Sequence, residues 1–201
     1  SGQPYFAGAT AGGIQISHLN STNAVIVPVT AAGANSNATH DIGYTGKLFR
    51  NISISGDITV GGGVYLGGTG AANKISDYEE GSWTPTTESG GSLSLARATY
   101  IKIGNFVTAY AYIDLTAPND TNNLNVGGLP FTSRNLSAYY GGGSGPSYSG
   151  SVNTSSWGSP LVLPNTTTVY WHSLAGSTAV IKNSFNSGNV IPLIFNIQYF
   201  T

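Results

Sequence analysis

A chain of 201 residues, 40% of them hydrophobic, is long enough to bury the core of one large or two small domains. Only 7% of the residues are charged, against about 25% in average soluble domains, so Ser, Thr, Asn and 28 glycines must supply solubility. A net charge of −1 argues against nucleic acid and anionic membranes as partners, and no apolar run reaches the ~20 residues that span a bilayer. Without cysteine, the chain has neither disulfides nor thiolate metal ligands.

Short runs of β-branched and aromatic residues, interrupted by Gly, Pro, Asn and Ser, predict an all-β fold. The first run, residues 24–27, is expected to end at Pro28, because proline cannot donate a hydrogen bond to a neighbouring strand. The clearest strands are expected further along the chain, at residues 100–103, 107–115, 167–171 and 191–200.

Up to about Asp77 the predicted strands are very short. Residues 51–55 and 58–60 alternate polar and apolar side chains around a turn at 56–57. Burying a large apolar side chain contributes roughly 1.5–3 kcal/mol, whereas ordering each residue costs roughly 1–2 kcal/mol of backbone entropy. Such a segment cannot easily fold alone, but three copies could turn their apolar residues toward a shared axis. We therefore expect a short-stranded, trimeric, fibrous shaft over residues 1–77; a loosely ordered linker is the alternative.

From Tyr78 onward the predicted strands are longer and contain aromatic residues. Within 107–115, Tyr110 and Tyr112 are expected on one face of a strand and the odd-numbered residues 109–113 on the other. Several strands of this kind, separated by Gly, Pro and Asn turns, are typical of a two-sheet sandwich or jelly roll. Residues 78–201 are therefore expected to form a jelly-roll-like β-sandwich head.

Short motifs occur in a fixed order around the sequence DYEEGSWTP at residues 77–85. Before it lie the motifs at residues 41–43, 49–52 and 63–73. After it lie those at 100–104, 128–131, 164–167 and 199–201. This ordered set resembles bacteriophage tail fibres and related virion proteins, at the point where a fibrous shaft ends and a globular head begins. The resemblance covers residues 40–201.

The resemblance implies a homotrimeric tip of a virion tail fibre, extracellular when assembled and joined to other tail proteins on its N-terminal side. Its expected partner is a host surface glycan or an outer-membrane receptor, which it binds without catalysis. No nucleic acid, membrane insertion or cofactor is expected. A final strand ending at Phe200 and Thr201 favours a tip. A purely structural virion protein, such as a head fibre or a fibre segment, is the alternative.

The only cluster among the eight carboxylates is Asp77, Glu79 and Glu80. Glycoside hydrolysis needs a pair of carboxyl groups about 5–10 Å apart. On a strand, Asp77 and Glu79 share a face while Glu80 points away. A glycan depolymerase is therefore a third hypothesis, but we favour a structural role at the shaft–head junction and expect no catalytic residue. We also expect no metal site, because the histidines are isolated, at His18, His40 and His172.

Aromatic side chains on loops are the candidates for receptor binding, because Tyr and Trp offer sugars a flat apolar surface with a polar group. The predicted loop over residues 133–159 contains four among Gly, Ser and Asn, namely Tyr139, Tyr140, Tyr148 and Trp157. The alternative is that Tyr139 and Tyr140 belong to a strand and that Trp157 packs in a trimer seam. Trp83 and Trp171 are expected in core or interface packing.

Overall fold

The structure, a computed structural model, describes residues 5–7, 13–18, 24–30, 32, 34, 41–42, 48–88, 91–116, 123–145, 158–173 and 190–201. These residues form strands, one short 3-10 turn at Ala71–Asn73 and no α-helix, which confirms the all-β prediction. The strands are β1 (Tyr5–Ala7), β2 (Gly13–His18), β3 (Ala24–Val29), β4 (Val64–Tyr65), β5 (Lys74–Ile75), β6 (Tyr78–Ser82), β7 (Thr86–Thr87), β8 (Ser92–Ile103), β9 (Phe106–Thr116), β10 (Asn125–Gly127), β11 (Gly141–Ser144), β12 (Gly158–Val162), β13 (Val169–Ser173) and β14 (Val190–Phe200).

The chain divides into two compact units, Ser1–Thr59 and Val60–Thr201. The first contains an antiparallel sheet with the strand order β1-β2-β3. The prediction that Pro28 ends the third strand is wrong, since β3 continues to Val29 and Pro28 pairs with Ile14. β3 is the last strand in this order, and such a strand tolerates proline because only half of its backbone groups face a neighbouring strand.

Residues 48–63 contain no strand. The strands expected at 51–55 and 58–60 are therefore absent from this structure, in which residues 51–60 show only a bend at Ser55 and Gly56. An alternating sequence with no neighbouring strand gains neither ladder hydrogen bonds nor a core for its apolar side chains. The division into a shaft over residues 1–77 and a head over 78–201 stays a prediction.

The second unit is dominated by one antiparallel sheet of nine strands, in the order β6-β8-β9-β14-β11-β12-β13-β10-β7. The four clearest strand predictions coincide with parts of β8, β9, β13 and β14. A tight turn at Gly104, whose φ is +58°, joins β8 to β9, and β14 pairs with β9 along its whole length.

The sheet is curled, because its first and last strands are close neighbours in sequence. Only residues 83–85 separate β6 from β7, and this connection can span at most about 14 Å. Nine strands laid flat would place the outermost two about 38 Å apart. Gly128, with φ +86°, permits the close approach of the connecting segment, since a Cβ there would lie 2.2 Å from the Thr84 carbonyl oxygen.

The core of this unit lies inside the curl. The predicted alternation in β9 is confirmed, because Ala109, Ala111 and Ile113 are buried while Tyr110 is exposed. Aromatic rings from distant parts of the chain fill the centre. Phe195 meets Trp171 edge to face with ring centroids 5.2 Å apart, and Trp83 with centroids 6.4 Å apart. Both predictions of packing roles for Trp83 and Trp171 are confirmed.

Strand β11 depends on glycine, because its backbone lies against β14. A Cβ at Gly143 would sit 1.9 Å from the Asn196 carbonyl oxygen, whereas a Cβ at Gly142 would meet nothing within 4 Å. Gly143→Ala is therefore expected to destabilise the fold by roughly 1–3 kcal/mol through backbone displacement. Gly142→Ala is the matched control and should leave stability nearly unchanged. Thermal unfolding of both variants measures the difference, and equal melting temperatures would contradict this packing.

Candidate functional site

Tyr139 and Tyr140 lie immediately before β11 and belong to no strand. Both side chains are exposed, to 41% and 60% respectively. The sequence-based alternative, in which these two residues form part of a strand, is therefore wrong. The other two predicted binding residues, Tyr148 and Trp157, lie outside the described residues, so their role stays a prediction.

The ring of Tyr139 is held by two neighbours. Its edge-to-face partner is Phe200, with centroids 6.1 Å apart, and the guanidinium carbon of Arg134 lies 5.1 Å from its centroid. The backbone reinforces this arrangement, since the Arg134 N–H donates to the Phe200 carbonyl at 2.7 Å and the Tyr139 N–H donates to the Leu136 carbonyl at 3.1 Å. Tyr139 is thus a pre-positioned aromatic surface, and the more exposed Tyr140 extends it.

The acidic cluster at the start of β6 is divided between two faces, as predicted. On one face, the Asp77 carboxylate pairs with the buried ammonium of Lys102, and Glu79 accepts a hydrogen bond of 2.5 Å from the Tyr100 hydroxyl. Glu80 lies on the other face, where it accepts a hydrogen bond of 2.7 Å from the Tyr78 hydroxyl.

The hydrogen bonds from Tyr78 and Tyr100 to carboxylates change the pKa of the two tyrosines. The bond to Glu80 raises the pKa of Tyr78, and the bond to Glu79 raises the pKa of Tyr100. Both phenols are therefore harder to deprotonate than an ordinary tyrosine. Beside them, an open groove of about 440 Å³ is lined by Glu80, Gly81, Thr99, Tyr100 and Ile101. The groove offers hydroxyl and carboxylate groups next to an aliphatic side chain, a combination that can contact a sugar.

Lys102 connects the acidic cluster of Asp77, Glu79 and Glu80 to the core. It is buried at the end of β8, and its ammonium lies 5.2 Å from the centroid of the Phe131 ring. Phe131 also packs edge to face with Tyr100, at 5.3 Å, and its N–H donates to the Tyr199 hydroxyl at 3.4 Å. Burial raises the pKa of Tyr199 to about 12. These contacts fix the position at which the chain enters the nine-stranded sheet.

No group of three or more His, Cys, Asp or Glu side chains is placed to hold a metal within the part of the chain that the structure describes. His172 lies on β13, half-buried and opposite Ser159 on β12. Among the same residues, no helix is long and apolar enough to cross a membrane.

Sequence reasoning identified Tyr139 and Tyr140 but missed Phe200 and Arg134, which position the Tyr139 ring. No signal in the sequence pointed to Phe200, because it lies far from Tyr139 in the chain and is joined to this segment by the Arg134 N–H, which donates to the Phe200 carbonyl. No protein-family profile, curated protein or solved structure matches the chain significantly.

Proposed function

We propose that this chain is the homotrimeric tip of a bacteriophage tail fibre, which binds a host surface glycan and catalyses no reaction. In this account residues up to 77 form a shaft with two further copies, and residues 78–201 form a β-sandwich head of the jelly-roll type. The ordered motifs around residues 77–85 support the assignment to tail fibres. The exposed apolar side chains that precede β6 support the trimer.

Those side chains are the observation that carries the proposal. Between residues 48 and 75, ten large apolar side chains are each 43–80% exposed, namely Leu48, Phe49, Ile52, Ile54, Ile58, Val60, Val64, Tyr65, Leu66 and Ile75. Burial of each would contribute roughly 1.5–3 kcal/mol. Three copies arranged around one axis would give these side chains a shared interior that one copy lacks.

The proposal of a glycan rests on the chemistry of the exposed aromatics. Tyr139 and Tyr140 present ring surfaces and hydroxyl groups next to Arg134 and the glycine-rich β11. Sugars pair their apolar C–H faces with such rings and their hydroxyls with such polar groups. With only 7% charged residues, the surface also suits an uncharged ligand better than a strongly charged one.

Tyr140→Ala is expected to weaken attachment to host cells about thirtyfold per site, the typical cost of removing an aromatic from a binding hot spot. Three equivalent sites per tip would amplify the loss on a cell surface through avidity. The matched control is Tyr110→Ala, which removes another exposed tyrosine from the outer face of β9. Binding of labelled protein to cells measures the effect, with melting temperature recorded for each variant.

The same assay distinguishes the alternatives. Loss of binding after host cells are stripped of surface glycans is the expected result, whereas unchanged binding would indicate a protein receptor. Failure of the unmodified protein to bind any candidate host would favour a purely structural fibre. Release of reducing ends from host polysaccharide, abolished by Glu79→Gln with Glu80→Gln, would show a depolymerase. Equal binding of Tyr140→Ala and the unmodified protein would remove Tyr140 from the site.

A further inference from the structure

Four neighbouring strands place a large apolar side chain at the same end of the sheet. Tyr78 of β6 pairs with Ile103 of β8, Ile103 pairs with Phe106 of β9, and Phe106 pairs with Phe200 of β14. Directly paired residues of antiparallel strands point to the same face of a sheet. We call Tyr78, Ile103, Phe106 and Phe200 the end row.

The end row lies on the outer face of the sheet. Its members are 59%, 48%, 38% and 46% exposed, whereas the neighbours that alternate with them, Lys102, Val107 and Tyr199, are buried in the core. The rings of Phe106 and Phe200 are tilted against each other with centroids 5.4 Å apart. Ile101 widens the row along β8, whereas Tyr139, which borders Phe200, belongs to the candidate glycan surface.

The exposed area is large for one chain. Taking about 200 Å² for a fully exposed large apolar side chain, the end row with Ile101 exposes about 450 Å². Contiguous apolar patches on monomeric proteins rarely exceed about 300–600 Å², and patches of that size are often interaction sites.

We infer that the end row packs against the end rows of two further copies of this chain, around the axis of the trimer. The inference rests on the proposed trimer and identifies its contact surface in the head. A stable interface buries about 800 Å² per partner. The end row and its neighbours supply more than half of that area. The remainder can come from Val64, Tyr65, Leu66 and Ile75, which lead directly into β6.

Charge and hydrogen bonding also favour a second copy over a glycan at the end row. All four side chains are uncharged, and the carboxylate nearest to the row on this face, Glu80, lies beside Tyr78 at one end of the row. A glycan needs hydrogen-bonding partners, and the only polar group in the row, the Tyr78 hydroxyl, already donates to Glu80. The ion pair between Asp77 and Lys102 fixes the chain at the beginning of the row.

The absence of cysteine from the chain allows a direct test. Ile103→Cys places one thiol per copy in the end row, and mild oxidation or a short bismaleimide should covalently link two of the three copies. A disulfide needs Cα atoms within about 7 Å, so only copies that meet at this surface can be linked efficiently. Ser159→Cys on β12 is the matched control, since its side chain is exposed away from the end row. Light scattering before oxidation gives the oligomeric state of each variant.

Trimers that cross-link through Ile103→Cys and not through Ser159→Cys are the expected result. Trimers that cross-link through neither variant would overturn the inference while leaving the proposed trimer intact, and the end row would then be open to a receptor. Equal cross-linking of both variants would show random collision and would also overturn it. A monomeric unmodified protein would overturn both the trimer and the inference.

Discussion

Replacing Trp171 with alanine is expected to lower the free energy of unfolding by about 3–5 kcal/mol. Trp171 is fully buried on β13, and its ring meets Phe195 edge to face in the middle of the curled sheet. The substitution would leave a cavity between the two sides of the curl, and Phe195 would lose one of its two aromatic neighbours. Denaturant unfolding at fixed protein concentration measures the change, because the stability of an oligomer depends on its concentration.

Trp171→Phe is the control for this prediction. The indole N–H of Trp171 has no hydrogen-bond partner among the described residues, so its removal sacrifices no hydrogen bond. A phenyl ring retains most of the contact with Phe195, and the expected loss is below about 1.5 kcal/mol. A small loss for Trp171→Ala, or equal losses for both variants, would mean that ring packing at this position does not stabilise the head.

Replacing Ile52 and Ile58 together with aspartate is expected to abolish the trimer. Three copies would bring six carboxylates to the shared axis, and each charge withdrawn from water without a partner costs several kcal/mol. At low micromolar concentration the mass in solution should fall to that of one chain, 20.7 kDa. The long strands of the head should keep their circular dichroism, because both substitutions lie outside the nine-stranded sheet.

Ser53→Asp with Thr59→Asp is the matched control, since these positions alternate with the isoleucines and are expected to face solvent. This variant carries the same added charge and should stay trimeric. If both double variants stayed trimeric, residues 51–60 would not contribute to the shared interior. If both dissociated, total charge rather than burial at the axis would explain the result.

Local sequence pattern was enough to predict the long strands of the nine-stranded sheet. β9 alternates small or aliphatic residues with tyrosines, and the structure buries the first set and exposes Tyr110. The beginning of β8 was missed, although Leu93 and Leu95 alternate with serines, because residues 96–99 contain only small and polar side chains and no β-branched apolar or aromatic residue. Its length is set by pairing with β9 from Ser92 to Ile103. The end of β3 was predicted wrongly for a related reason, because only the strand order shows that Pro28 lies in the last strand of its sheet.

Features that depend on the pairing of strands far apart in the sequence could not be predicted. The curl of the sheet and the end row both follow from register, and the sequence indicates which residues alternate but not which strands are neighbours. Lys102 illustrates the same limit. A lone lysine in a strand is expected at the surface, yet Lys102 is buried because Asp77 and Phe131 lie beside it in the folded chain.

The candidate site was predicted in part. Aromatic residues between glycines and serines indicated an exposed binding loop, and Tyr139 and Tyr140 are exposed in the structure. The support from Phe200 could not be predicted, because Phe200 lies far from Tyr139 in the chain and meets it only in the folded sheet. The structure places Gly141–Ser144 in a strand whose Gly143 leaves no room for a side chain beside Asn196.

The mass of the unmodified protein in solution tests the central claim, a shared interior built by three copies, most directly. Light scattering or sedimentation equilibrium at low micromolar concentration should give about three times 20.7 kDa. The mass should persist on dilution, because chains that wrap around one another must unfold before they separate. A single well-folded species of 20.7 kDa would contradict the account, since the exposed apolar side chains of residues 48–75 would then remain in water.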